Sequence, residues 1–389
     1  MEKTDFLIEL KDRIDSKNAA DTEAGITAIL DKNSGMIPVF DASNLTYISS
    51  AGLRVLMKIS RLFAEKLTIR DVSPEIYEIF DTTGFTSLFD IKKRLRNISV
   101  EGCRIIGKGA FGTVYRLDDD TIVKVYQPDL EDALSIIENE KELAKKGFVA
   151  GIPTAISFDV VKVGASYGAV FELLNAKTFN DLIIEEPDKA DETIKRYTDL
   201  IKSVHSIEMK PGELPSSREK YLDRLNVIRD HISGEVFDKL HSLIFDLPED
   251  LHVVHGDIQM KNVMLSEDEP MLIDMDNLSI GLPIFDLQAI YVCYQAFLED
   301  EPDNGLKFLG ISQEMCNRIW DGIIENYYTD RTEEERALIC DKIRVLAYIR
   351  FLQMMVISDD QNNELTRLRI KHSIEHLNDL SGRISDLTI

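Results

Sequence analysis

The chain has few cysteines, a single tryptophan, few prolines and no long hydrophobic run. Its four cysteines, Cys103, Cys293, Cys316 and Cys340, show no paired metal-ligand spacing and no disulfide framework among 389 residues. That excludes a small stapled secreted fold and a cysteine-based zinc site. No uninterrupted apolar stretch approaches the length of a membrane span. The start, Met1-Glu2-Lys3-Thr4-Asp5, is charged and lacks the apolar core of a signal peptide. The expectation is a reduced, cytoplasmic protein with no membrane contact. Basic residues are also in deficit, with 45 Lys and Arg against 69 Asp and Glu, a formal net charge of −24. Such a surface argues against binding to nucleic acid or anionic lipid. Residues 1–98 hold 14 basic and 15 acidic side chains, so nearly all of the deficit lies beyond them. What is present is a globular composition, 44% hydrophobic and 29% charged, in a chain long enough for two or three domains.

The most informative stretch is His255-Gly256-Asp257-Ile258-Gln259-Met260-Lys261-Asn262, followed by an apolar strand ending Leu272-Ile273-Asp274. An acid, an amide five residues later and a second acid after the next strand suit phosphoryl transfer from ATP. One carboxylate must meet the acceptor hydroxyl, and a second acid with an amide oxygen must hold magnesium. Upstream stands Gly107-Lys108-Gly109-Ala110-Phe111-Gly112 between strand-like runs, Cys103 to Ile106 and Thr113 to Leu117. A glycine loop between two strands reads as a flap over phosphates, whereas the dinucleotide fingerprint runs from strand into helix. The next strand carries Lys124, a compact charge suited to the α- and β-phosphates. A helix-like segment then carries Glu138, read as solvated, and Glu140, read as the carboxylate that orients Lys124. His255 reads as a core histidine bracing the loop.

The segment from about Ile98 to Ile389 therefore resembles the protein-kinase-like superfamily, and within it the aminoglycoside and choline phosphotransferase branch. The narrower likeness rests on Gly256 in place of the usual arginine, on Ile273-Asp274-Met275-Asp276, and on Pro283-Ile284-Phe285-Asp286-Leu287. The resemblance implies Asp257 as catalytic base, Asn262 and Asp274 as magnesium ligands, Asp276 as a further ligand or support, and Asp286 as a structural acid pinning the loop. It implies adenine contacts from the backbone near Glu172 and Leu174, at the end of the run Tyr167 to Leu174. Only eleven residues separate Asp274 from Asp286, too few for a long peptide platform, which favours a small-molecule or atypical acceptor. An acidic surface would attract a cationic acceptor such as an aminoglycoside or amino alcohol, or would simply keep the protein soluble. Glu299, Asp300, Glu301 and Asp303 read as a wall of the acceptor site or as an exposed loop.

Residues 1–98 carry a different pattern. Leu7 to Ile14 alternates like a strand, Ala19 to Leu30 reads as an amphipathic helix, and Met36 to Phe40 as a short strand. Tyr47-Ile48-Ser49-Ser50-Ala51-Gly52-Leu53 turns sharply from strand into helix, and Phe80 to Phe89 closes the region. This order resembles the STAS domain of anti-sigma-factor antagonists. The resemblance implies a partner-binding module in which the serine opening the helix can be phosphorylated, here Ser50. A helix N-terminus accepts phosphate readily, although Ser49 or Ser50 can equally serve as an N-cap.

The expected architecture is an α/β STAS domain over 1–97 and an α+β bilobal kinase-like fold over 98–389, with lobes meeting near 174. Gly107, Gly109, Gly112 and Lys124 would bind the nucleotide, and ATP and Mg2+ are the expected cofactors. The expected partners are a small-molecule or protein hydroxyl acceptor, and a regulatory protein for the STAS region. Three functions compete: a small-molecule kinase, an atypical protein kinase acting on a STAS serine, and a nucleotide-binding scaffold without turnover.

Overall fold

The computed structural model describes residues 5–109, 112–127, 133–174, 176–266, 268–358, 360 and 363–389. The chain divides into two compact units, Met1–Ser99 with Val161–Ala165, and Val100–Val160 with Ser166–Ile389.

The first unit is a parallel sheet with helical crossovers. Strands β1 (Asp5–Glu9), β2 (Ile37–Asp41), β3 (Leu67–Val72) and β4 (Phe89–Lys93) lie in the order β1-β2-β3-β4, every pair parallel. Parallel neighbours cannot be joined by a hairpin, so the chain crosses over through helices. These are α1 (Ala19–Lys32), α2 (Ser50–Ser60) and α3 (Pro74–Thr82). Helix α2 buries Gly52, Leu53, Val55, Leu56 and Ile59, one face at helical spacing. Helix α3 starts where Ser73 accepts the Ile76 N–H and Pro74 takes the first helical position, which needs no N–H donor. Ile8, Phe40, Leu56, Ile69, Phe80 and Phe89 meet in the core.

The strand expected over Leu7–Ile14 is two pieces. Strand β1 stops at Glu9, and Arg13–Ile14 pairs instead with Tyr47–Ile48. The break is held by Asp12, whose carbonyl accepts the Thr46 N–H at 2.7 Å and whose carboxylate accepts the Thr46 hydroxyl at 2.7 Å.

In the second unit, β5 (Arg104–Lys108), β6 (Gly112–Arg116), β7 (Thr121–Tyr126) and β8 (Ser166–Glu172) form an antiparallel sheet, with α4 (Ala133–Val149) between β7 and β8 in the chain. Its larger part is helical: α5 (Phe179–Glu185), α6 (Ala190–Val204), α7 (Ser217–Val227), α8 (Gly234–Phe245), α9 (Ile284–Tyr291), α10 (Gln313–Tyr327), α11 (Glu333–Val356) and α12 (Glu364–Arg383). A hairpin of β9 (Val263–Ser266) and β10 (Glu269–Leu272) lies between α8 and α9 in the chain. The apolar stripe expected on Ile194, Tyr197, Leu200, Ile201 and Val204 faces the core, as does that of α11. Cys103, Cys293, Cys316 and Cys340 are all free thiols. Among the described residues no helix is long and apolar enough to cross a membrane.

Gly52 is the tightest point of the first unit. A Cβ there would lie 2.8 Å from the Ile14 Cγ2, the Ile14 carbonyl oxygen and the Ile48 Cγ1. All three belong to the short paired strands Arg13–Ile14 and Tyr47–Ile48, which cannot yield independently. Gly52→Ala should therefore destabilise this unit by about 1–3 kcal/mol, read as faster hydrogen exchange in α2 of the full chain. Unchanged exchange would show that the two strands shift at no cost.

Candidate active site

Asp286, in the first turn of α9, is fully buried. Its Oδ2 accepts the His255 N–H at 2.9 Å and faces the His205 Nε2 at 2.9 Å, and its Oδ1 accepts the Gly256 N–H at 2.5 Å. Burial alone pushes this carboxyl up, but His205 and the loop outweigh burial and hold it below its ordinary value. His255, also buried, takes the Asp257 N–H on Nδ1 at 3.3 Å and meets the Ile273 carbonyl with Nε2 at 3.1 Å. One imidazole thus ties the loop to the strand that delivers Asp274.

Gly256 has a backbone reason. Its φ is +80°, and a Cβ there would stand 2.8 Å from the Asn277 Cβ and 2.9 Å from the Asn277 carbonyl oxygen. No larger residue fits without moving the segment after Asp274.

Asp257 is held by three side chains. Gln259 Nε2 donates to Oδ2 at 3.2 Å, and Asn262 Nδ2 donates to the same oxygen at 3.1 Å. The third is Arg350 of α11, whose guanidinium donates to Asp257 Oδ1 at 2.9 Å and to the Gly256 carbonyl at 2.6 Å. Burial opposes the Arg350 charge, but Asp257 outweighs it and raises its pKa. Arg350 was missed in the sequence reading. Its side chain supplies to the loop a guanidinium that position 256 itself cannot carry. A lone arginine in an amphipathic helix gives no local signal of such a task.

Lys124 of β7 stands between two carboxylates. Its Nζ lies 3.2 Å from both Glu140 oxygens and 2.6 Å from Asp274 Oδ1. Burial lowers the Lys124 pKa, yet Glu140 and Asp274 outweigh it and leave it raised. Tyr126 donates its hydroxyl to Glu140 as well. Glu138 is exposed on the other face of α4. Asp274 adopts a left-handed conformation, φ 66° and ψ 60°, in which aspartate is among the few tolerated residues. Asp276 is raised to about 7, chiefly by burial and then by Asp274 and Glu140.

These residues fit a hard cation in part through their own oxygens. Asn262 spends its amide N–H on Asp257, which leaves Oδ1 open to a metal, and Asp274 and Asp276 add carboxylates. Among the described residues no group of three or more His, Cys, Asp or Glu gathers as a metal cage. Two carboxylates and an amide match magnesium, which retains waters and takes phosphate oxygens for the rest of its shell.

Gly107 lies in β5 and Gly112 opens β6, and the Gly109 N–H closes the turn on the Gly112 carbonyl at 2.9 Å. A Cβ on Gly112 would stand 2.2 Å from the Val125 carbonyl oxygen, so the strand-to-strand approach demands glycine. Ala110 and Phe111 lie outside the described residues. Glu172 ends β8 exposed, Leu174 follows it, and the Leu173 N–H is engaged by the Asp120 carbonyl at 2.7 Å. Ser50 is the exposed first residue of α2, and the capping is done by Ser49, whose hydroxyl accepts the Ala51 N–H at 3.2 Å.

The acidic run 299–303, expected as a wall of the acceptor site or an exposed loop, is tied down by pairing. Glu299 pairs with His376, Asp300 with His372, Glu301 with Arg369 and Lys307, and Asp303 with Lys307. Three of these partners, Arg369, His372 and His376 on α12, arrive from more than 65 residues downstream and clamp the run.

Family models match both parts of the chain. The model of the phosphotransferase enzyme family matches residues 102–308, and that of the STAS domain matches residues 2–98. The chain belongs to the phosphotransferase enzyme family. Its first unit is a STAS domain, 33% identical over 96 residues to a Bordetella bronchiseptica protein assigned as an anti-sigma factor antagonist, BtrV, with 23% of this chain and 82% of that protein covered. Among solved structures, an amicoumacin kinase with AMP-PNP and Ca2+ is 13% identical, TM-score 0.49, covering 83% of this chain and 96% of the other. An ADP-bound aminoglycoside phosphotransferase, APH(2'')-Ib, is 14% identical, TM-score 0.46, covering 72% and 91%. A choline/ethanolamine kinase family protein from Mesorhizobium loti is 13% identical, TM-score 0.44, covering 72% and 87%.

In this phosphotransferase unit Asp286 carries the loop. Its folded pKa is lowered, so its stabilisation is present above the ordinary value of 3.8 and is lost as pH falls through the folded value. Asp286→Asn should cost about 3–5 kcal/mol, because buried donors lose their charged acceptor. The expected result is a melting transition lowered by several degrees at pH 7, with the gap to wild type closing in acid. A gap that persists unchanged into acid would show that packing, not the charge, pins the loop.

Proposed function

We propose that the second unit transfers the γ-phosphoryl group of ATP, with magnesium, to a hydroxyl acceptor. The observation that carries this is the pairing of Lys124 with both Glu140 and Asp274, in the unit where Asn262 holds Asp257. ATP and magnesium would supply the transferable phosphoryl group and the positive charge that neutralises its oxygens. Lys124 would hold the phosphates, with Glu140 fixing its direction. Asn262, Asp274 and Asp276 would hold the cation, and Gly107, Gly109 and Gly112 would let the flap backbone approach the phosphates. Backbone groups near Glu172 and Leu174 would meet the adenine.

Asp257 orients the acceptor hydroxyl and takes its proton as the oxygen bonds to the γ-phosphorus and the bond to the departing ADP oxygen breaks. Three donors already hold the Asp257 carboxylate in one orientation, so its main contribution is placement of the hydroxyl. Arg350, Gln259 and Asn262 are positioning residues for that carboxylate.

A second reading concerns the acceptor. Ser50 is exposed, and Ser49 takes the capping role, which supports a Ser50 hydroxyl open to modification by this or another copy of the chain. The two added charges would sit at the positive end of α2 and alter any partner surface there.

The full chain incubated with Mg-ATP should consume ATP in a screen of hydroxyl acceptors. Asp257→Ala and Asp274→Ala should each lower turnover by about 10²–10⁴-fold with the melting transition retained. Near-normal turnover in either folded variant would sink the assignment. Phosphosite mapping by mass spectrometry decides the second reading. Phosphate on Ser50 that is absent from the Asp257→Ala protein supports it, and an unmodified Ser50 beside a turned-over small molecule removes it.

A further inference from the structure

Helix α7 presents Lys220 and Arg224, four residues apart, to a recess whose other walls include Gly256, Gln288 and Arg350. Three cationic side chains thus face one small space beside the catalytic loop. Like charges at this helical spacing repel each other, and all three are largely removed from water.

Their partners do not offset the charge. Lys220 donates to the Asn277 carbonyl at 3.1 Å, and Arg224 donates to the Gln353 amide oxygen at 2.5 Å. Among the described residues neither makes an ion pair with a carboxylate, and only Arg350 does, with Asp257. Burial lowers the pKa of Lys220 and of Arg224, and Arg224 is lowered further by Arg350.

The recess also holds polar atoms without partners. Tyr221, 4% exposed, lies near the Arg350 guanidinium, yet its hydroxyl makes no hydrogen bond of normal geometry. The Gln288 Oε1 is likewise buried and unpartnered. A buried hydroxyl left unsatisfied is destabilising, and uncompensated buried charge is more so. An oxyanion satisfies the donors, and a hydroxyl on the same ligand satisfies Gln288.

We propose that this recess anchors an anionic group, a carboxylate or a phosphate, on the acceptor of the phosphotransferase reaction. The proposal rests on the reading of Asp257 above. Space of about 20 Å³ admits roughly one oxygen-sized group, and the remainder of the anion lies in the open mouth. Arg350 reaches from this recess to Asp257 Oδ1, so the reacting hydroxyl sits only a few bonds from the anion. The acceptor class is therefore a hydroxy acid or a phosphorylated alcohol, the opposite charge from the one the acidic exterior suggests.

The test is calorimetric titration of the full chain with inorganic phosphate and with acetate, at matched ionic strength in chloride, with and without saturating MgADP. The expected result is binding of at least one anion with MgADP in place. Lys220→Gln combined with Arg224→Gln should weaken it at least about tenfold while MgADP affinity stays unchanged. Arg224→Lys, which keeps the charge and protects against a folding artefact, should weaken it less. Anion binding that the double variant leaves unchanged overturns the proposal, as does binding that MgADP abolishes, or no binding of either anion. In an ATP-consumption screen, turnover confined to aminoglycosides and amino alcohols would also overturn it. A wild-type chain that fails to bind MgADP would instead sink the nucleotide reading, and the titration without nucleotide still decides the anion site.

Discussion

Asp286 keeps a full charge with no exposure to water, and it does so because His205 and the N–H groups of His255 and Gly256 converge on its two oxygens. That arrangement fixes the backbone immediately before Asp257. The rest of the site is built outward from this point. His255 ties the fixed backbone to the strand bearing Asp274, and Gly256 lets it pass against Asn277. Arg350 then grips both the Gly256 carbonyl and the Asp257 carboxylate. A buried ion is costly in isolation, and here the cost is offset by charge-assisted bonds that also define the geometry.

Around that fixed loop, charge is sorted by side. Lys124, Glu140 and Asp274 form a compact set suited to phosphates and a divalent cation. Lys220, Arg224 and Arg350 crowd a separate recess beside Gly256 with little compensation. The overall charge of −24 says nothing of this division. The acidic run 299–303 shows the same lesson in reverse, because its carboxylates are consumed by His372, His376, Arg369 and Lys307. Net charge sets long-range attraction. Local pairing sets what a site can bind.

The STAS domain and the phosphotransferase unit read differently from sequence for one reason. In the STAS domain, most elements follow from local pattern: a short apolar run in β2, amphipathic spacing in α1, and a sharp turn from strand into helix at α2. The exception is the break after Glu9, where the Thr46 contacts with Asp12 override the alternation of Leu7 to Ile14. Contacts from distant residues are invisible to periodicity.

The Asp257, Asn262, Asp274 and glycine positions were legible because each lies in a short motif. Asp257 and Asn262 lie on one loop, Asp274 and Asp276 on one turn, and the three glycines within one flap, so spacing alone brings them together. The sequence by itself therefore determined the two-unit organisation and the phosphotransferase family, and it named Asp257, Asn262, Asp274 and Lys124 before their contacts were seen. It did not reveal Arg350, which reaches the loop from 94 residues away, nor the partners of the acidic run. Those depend on which helix packs against which, a decision made by side-chain packing across the whole unit rather than by any local preference. Only the tertiary structure decided that Asp257 is clamped by a guanidinium and flanked by a cationic recess, because both arise where helices distant in sequence share one buried space.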